Sequence, residues 1–325
     1  MAGLVNGKWV DTMPAAEEIK GGRFVRKDST FREWISPDGE FPPEAGRYRL
    51  WVSLSCPWAS RTLAFRALKG LEQIIPVVVA LPGMGAEGWL FAERPDGGAA
   101  EQSPLHRVYT AAVPDYTGKA TVPVLWDTHT SQIVNNESGE IVRILNSAFD
   151  GLTGNRLDFY PEALRRQIDR WNDRIYPAVN NGVYRAGFAT TQEAYDEAVR
   201  DLFAMLDQLE IHLSKNRYLA GEYCTEADWR LFVTLVRFDV AYYGVFKCNM
   251  RRIADYPALS NYLRELYQWP GVAATVDLAR IKSDYSGILS INPSGVVPAG
   301  PSAPELGAPH DRGRLTGAGV WSRTS

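Results

Sequence analysis

An α/β domain followed by an all-helical one is what this sequence predicts, and three observations carry the prediction. A strand-like run, RYRLWVS at residues 47–53, passes directly into Cys56-Pro57-Trp58 and a helical repeat. Strand character returns at residues 121–126 (TVPVLW), beyond a long interval rich in Gly and Pro. From about residue 160 the apolar spacing turns helical, with almost no strand signal left.

The first 45 residues mix Gly, Pro and charge and read as an irregular extension. Residues 47–53 have the aromatic and β-branched character of a strand. The helix that follows places Leu63, Ala67 and Leu68 on one face. Pro57 suits its first position, where a missing N–H costs nothing, and Gly70 suits the residue just past its end. Residues 74–80 (IIPVVVA) supply a second strand, so the opening reads β-α-β. Residues 82–119 form a long connection, which in a compact domain marks function or disorder. Residues 121–126 resume the sheet, with Gln132 to Val134 as the hairpin partner. Asn135, Asn136, Glu137 and Ser138 then offer caps to a helix through Ile141, Val142 and Leu145. This order, within 46–150, is that of a thioredoxin-like domain.

Four helical stretches follow within 160–285, at 161–179, 191–214, 226–243 and 257–268. Thr225 and Asp228 stand in capping-box spacing ahead of the apolar run WRLFVTLVRF. Residues 286–325 form a tail of Gly, Pro and Ser whose last 20 or so residues are expected to be loose.

With 325 residues, 45% of them apolar and 22% charged, the chain has the composition of a globular protein. A net charge of -3 gives no electrostatic reason to expect nucleic acid or an anionic membrane as partner. The N-terminus lacks a signal-peptide pattern, and no apolar run approaches the roughly 18 residues of a membrane span. Three well-separated cysteines suit a reducing compartment, and a cytoplasmic protein is expected.

Cys56 carries the most pointed chemistry. A thiol at a helix N-terminus sits beside unpaired N–H groups and the positive end of the helix dipole, which favour the thiolate. The thiolate is the form that attacks sulfur or carbon. The motif is C-P-W-A rather than C-x-x-C, so a mixed disulfide formed here needs an external thiol to resolve it, and glutathione is the abundant one. Cys224 and Cys248 have no such setting and read as structural. Val122-Pro123 enters a strand where thioredoxin-like folds place a cis proline, leaving the preceding backbone to face the ligand. Glu137 and Ser138 open a helix, where free N–H groups bind a carboxylate; plain capping is an equally good and compatible reading. Tyr184, Tyr242, Tyr243 and Tyr285 lie in or near the helical half and Trp89 in the long connection, though aromatic stripes more often build core than site. Four scattered His residues give no metal spacing.

Taken together, these segments resemble the glutathionyl-hydroquinone reductases, also called Xi-class glutathione transferases. The resemblance runs to about residue 301 and rests on FREWISPDGEFPPEAGRYRLWVSLSCPWASRTL, Gly88-Trp89, TVPVLWD and IVNNES. It continues through NNGVYRAGFATTQEAYDEAV, LAGEYCTEADWRLFVTLVRFD, YYGVFKCN and INPSGVVPAGP. It implies a thioredoxin-like N-terminal domain, an all-helical glutathione-transferase C-terminal domain and a homodimer joined largely through the helical domains. It implies glutathione as co-substrate, no metal, and reduction of glutathionyl-hydroquinones through a Cys56–glutathione disulfide. Trp89, Val122 (by its backbone), Glu137 and Ser138 would hold glutathione, and Tyr184 would donate a hydrogen bond or proton to the quinol oxygen. The family usually carries a His-Tyr-Tyr…Ser-His run before Ile291-Asn292-Pro293; here it reads SDYSGILS, leaving Tyr285 as the only phenol and Asp284 in place of a His. That segment is expected to close over the quinol pocket, its carboxylate disfavouring anionic quinols. The family also commonly has a His after the Gly of YYG, where this chain has Val245. Two alternatives remain at this level: a Cys-type transferase of broader action, such as a thiol transferase or aryl ether or thioether lyase, and a transferase-fold binding module without catalysis.

Overall fold

The computed structural model describes residues 2–13 and 19–323. Two compact units divide them: one comprises residues 2–13 and 27–155, the other residues 19–26 and 156–323. In chain order, β1 (Gly3–Val5) pairs with β2 (Lys8–Val10) in the first unit, and β3 (Ile19–Lys20) pairs with β4 (Arg23–Phe24) in the second.

The first unit is organised by β5 (Tyr48–Val52), buried along most of its length as a central strand must be. Strand β5 leads into α1 (Pro57–Leu68) and then β6 (Val77–Val79), which lies parallel to it. Both ends of α1 are made as the sequence suggests. Cys56 is the N-cap in extended backbone with Pro57 behind it. At the other end Gly70 adopts φ +65°, Gly70 N–H donates to Ala67 and Leu71 N–H to Arg66. That pair of bonds is a Schellman closure, which favours glycine at its left-handed residue.

The long connection is not structureless. It holds a hairpin of β7 (Leu90–Glu93) and β8 (Ala99–Pro104) and a short helix, α2 (His106–Ala112). Strands β9 (Val124–Asp127) and β10 (Gln132–Asn135) complete a sheet of order β10-β9-β5-β6, in which β6 alone runs parallel to its neighbour. Helix α3 (Ser138–Ser147) packs beside α1, and α4 (Asp150–Thr153) closes the unit. This is the thioredoxin-like arrangement.

In the second unit β11 (Leu157–Asp158) precedes α5 (Arg165–Ile175), α6 (Gly182–Gly187), α7 (Gln192–Leu213), α8 (Glu226–Arg237), α9 (Pro257–Tyr267) and α10 (Leu278–Ser286). Thr225 and Asp228 form the capping box of α8, and Asp228 also accepts from Leu219 N–H and the Tyr262 hydroxyl. Helix α8 does not run on to Tyr243 as its apolar pattern suggests. It widens into a π turn at Phe238–Tyr242, a local change often found at functional sites.

The tail departs from expectation. Its last strand, β12 (Trp321–Ser322), pairs with β11, and Arg312 is fully buried. The Arg312 guanidinium donates to the carbonyls of Leu213 and Asn216 (2.5 and 2.8 Å) and to that of Arg217, at the end of α7. The Leu213 carbonyl is one that the end of α7 leaves without a helical partner, and Asn216 and Arg217 lie in the turn beyond, so Arg312 caps α7 and ties the tail to the turn that follows it.

Candidate active site

The first unit gathers the residues expected to hold glutathione. Cys56 is half-buried at the start of α1, and its thiol points at the Val122 carbonyl, 3.8 Å away. The Val122-Pro123 bond is cis. Cys56 N–H donates to Ser53, and its carbonyl receives the first helical bond from Ser60 N–H. As N-cap, Cys56 stands beside the first-turn N–H groups of α1, although its side chain makes no cap hydrogen bond to them. The other two thiols differ. Cys224 and Cys248 are both fully buried, and burial pushes both thiols well up, so each stays protonated.

Glu137 is the N-cap of α3. One carboxylate oxygen accepts from Gly139 N–H (3.0 Å), the other from the Ser29 hydroxyl (3.0 Å). A carboxylate offers about four acceptor positions, so two remain for an ammonium group. Ser138 is buried as the first residue of α3 and accepts from Arg61 of α1 at 3.4 Å. Arg61, itself buried, lies over the Trp58 ring at 4.6 Å. Trp89 is half-exposed at the entry to β7, where Gly88 turns at φ +83° and the Trp89 carbonyl accepts from Leu105 N–H. Ser29 was missed by sequence reasoning; it lies in a stretch with no periodicity, and only its proximity to Glu137 identifies it.

The second unit assembles an aromatic cluster. The Tyr184 and Tyr285 hydroxyls lie 2.7 Å apart, and the Tyr242 and Tyr285 hydroxyls 3.0 Å apart. Tyr242 is fully buried, Tyr285 nearly so, and Tyr184 is half-exposed. Burial pushes the Tyr242 phenol well above its ordinary range, so it remains a donor. Phe246 packs edge-on against Tyr184 and Tyr285 (5.3 and 5.4 Å between centroids), and Phe188 joins them. Gly187 makes that approach possible, because a Cβ there would meet the Phe246 ring at 2.4 Å. Tyr242, noted from sequence only as one of several aromatics, thus belongs with Tyr184 and Tyr285.

The first half of the SDYSGILS segment is the end of a helix and the second half lies beyond it: α10 extends to Ser286 and carries Tyr285 inward. Asp284 is paired with Arg280 at 2.7 Å, so its charge is offset on the same helix. Among the described residues no group of His, Cys, Asp and Glu is placed to hold a metal, and no helix is long and apolar enough to cross a membrane.

Comparison with known proteins matches this geometry to a family. The glutathione S-transferase N-terminal domain matches residues 55–148 and the C-terminal domain residues 192–265. The chain is 50% identical over 308 residues to glutathionyl-hydroquinone reductase PcpF of Sphingobium chlorophenolicum, covering 93% of this chain and 96% of the relative. It belongs to the glutathionyl-hydroquinone reductases, the Xi-class glutathione transferases. Glutathionyl-hydroquinone reductase YqjG of Escherichia coli is 47% identical over 325 residues, covering 96% of this chain and 98% of the relative. Among solved structures, the Xi-class transferase of Natrialba magadii superposes with TM-score 0.87 at 43% identity, covering 98% of both chains. The glutathione-bound structure of YqjG superposes with TM-score 0.85 at 45% identity, covering 95% of this chain and 98% of the other.

Proposed function

We propose that this Xi-class enzyme reduces glutathionyl-hydroquinones with glutathione, using Cys56 as nucleophile. The observation that carries the reading is the placement of Cys56 as N-cap of α1, its sulfur beside the Val122 carbonyl and with no second cysteine in the motif. The Cys56 thiolate attacks the glutathione sulfur of the conjugate, forming the Cys56–glutathione S–S bond as the aryl C–S bond breaks. The bonding pair passes to the ring. When the ring carbon already carries a proton, as in the ketone tautomer, the leaving group is a quinol oxyanion that takes up one proton. Tyr184, the half-exposed end of the phenol cluster, donates a hydrogen bond to that oxygen. A second glutathione thiolate then attacks the mixed disulfide, giving oxidised glutathione and the free Cys56 thiolate.

Glutathione is held by Trp89, the Val122 backbone, Glu137 and Ser138, the last two at the N-terminus of α3 where N–H groups favour a carboxylate. The enzyme works as a cytoplasmic homodimer; its three free cysteines fit a reducing compartment. The test is incubation with a glutathionyl-hydroquinone plus glutathione, with products identified by mass. Wild type should yield the hydroquinone and oxidised glutathione and, after oxidised glutathione alone, one added glutathione by intact mass. Cys56→Ser should fold normally and do neither, since serine is no nucleophile at neutral pH. More than a few per cent of wild-type turnover in Cys56→Ser would sink the mechanism, and a thioether product would point to a broader transferase.

A further inference from the structure

The β3–β4 hairpin belongs to the helical unit and reaches its phenol cluster. Its turn, Gly21-Gly22, has φ of +54° and +78°, the double left-handed geometry of a type I′ hairpin. Gly22 is also constrained from outside: its carbonyl accepts Thr190 N–H, and a Cβ there would meet the Thr191 side chain at 2.4 Å. Arg23 bridges to Glu193 and Glu197 of α7 at 3.1 and 2.8 Å. Beyond the turn Phe24 stacks on Tyr184 and packs on Phe188, with centroids 6.4 and 5.4 Å apart. Arg26 then lays its guanidinium over the Tyr184 ring at 5.0 Å and donates from Nε to Asn181, the residue before α6.

From this geometry we infer that Arg26 is a positioning residue of the acceptor site, acting through Tyr184, and that the hairpin exists to present it. The inference rests on the reading that Tyr184 donates to the quinol oxygen. As that hydrogen bond strengthens in the transition state, negative charge grows on the Tyr184 oxygen and ring. A guanidinium against the ring face stabilises it, and the Asn181 contact fixes the guanidinium in place. Phe24 stacks on the same ring and Phe246 packs edge-on with it, so the phenol needs little reorganisation during turnover. Because Arg26 acts through Tyr184, its loss should appear in kcat and not in the glutathione KM.

The test uses the full-length enzyme and an uncharged glutathionyl-hydroquinone. Arg26→Met, which keeps the apolar stem, should lower kcat about tenfold, in the range of a partly desolvated cation–π contact, with glutathione KM unchanged. Arg26→Lys should recover part of the loss. Formation of the Cys56 mixed disulfide from oxidised glutathione, which involves no quinol, should proceed at the wild-type rate in both. Placed on Tyr184→Phe, Arg26→Met should cause no further loss, because its effect passes through the hydroxyl already removed. Wild-type kcat in Arg26→Met, or an equal loss on the Tyr184→Phe background, would overturn the inference while leaving Tyr184 in its role. Full activity in Tyr184→Phe would instead overturn the underlying reading of Tyr184.

Discussion

Glu137 offers a prediction in which structural and binding roles can be separated. Its carboxylate already accepts Gly139 N–H and the Ser29 hydroxyl, each at 3.0 Å. Replacing it by Ala removes the cap of α3, worth about 0.5–2 kcal/mol. The Ser29 hydroxyl keeps the Asn136 carbonyl at 3.3 Å as a second partner, so little is added to that cost. If the carboxylate also receives the glutathione ammonium, Ala loses a charge-assisted contact of about 1–3 kcal/mol, or roughly five- to 150-fold in affinity. Because Glu137 is only partly buried, solvent screening favours the lower half of that range. Glu137→Gln is the discriminating variant. Its amide oxygen can accept from Gly139 N–H and its NH2 can face Ser29, which can accept, so stability should stay within about 0.5 kcal/mol. The charge is gone, so glutathione affinity should still fall. Urea denaturation and calorimetric titration with glutathione measure the two effects independently. Wild-type affinity in Glu137→Gln, with Glu137→Ala merely less stable, would reduce Glu137 to a cap and refute its role in binding.

Tyr184→Phe should lower turnover on aryl conjugates about tenfold, and Tyr285→Phe should also lower it, since the two hydroxyls touch at 2.7 Å. Steady-state kinetics on the double variant should show no more loss than Tyr184→Phe, as expected of groups acting in series; an unaffected Tyr285→Phe would remove Tyr285 from the site. Arg312→Met should destabilise the protein by about 3 kcal/mol, because a fully buried guanidinium that serves three carbonyls and faces Glu265 is lost; a urea midpoint like the wild type's would contradict the capping role of the tail. Asp284→Asn should change the preference for neutral over ionised aryl conjugates by less than about threefold, since wild-type Asp284 is already offset by Arg280; a larger change in relative kcat/KM would mean that the carboxylate faces the substrate.

What could be read from the chain, and what could not, divides along a physical line. Cys56, Val122 and Glu137 announce themselves because each sits at the start or edge of an element whose signals are local: Pro57 and Gly70 bracket α1, and Asn135 and Asn136 precede α3. Arg26, Phe24 and Ser29 have no such signature, since each acts by reaching a residue more than a hundred positions away. The tail misleads for another reason. Composition averages over many residues, whereas a few specific contacts hold this Gly- and Pro-rich segment: Arg312 on three carbonyls, Gln268 on the Leu306 and Ala308 carbonyls, and Arg323 on Asp158. The SDYSGILS segment, singled out through the family resemblance, also carries a plain local pattern. Asp277 caps α10 by accepting Arg280 N–H, Arg280 and Asp284 pair at i,i+4, and Ile281 and Tyr285 share the buried face at the same spacing. Helical periodicity alone therefore aims Tyr285 inward. Its hydroxyl meets those of Tyr184 and Tyr242.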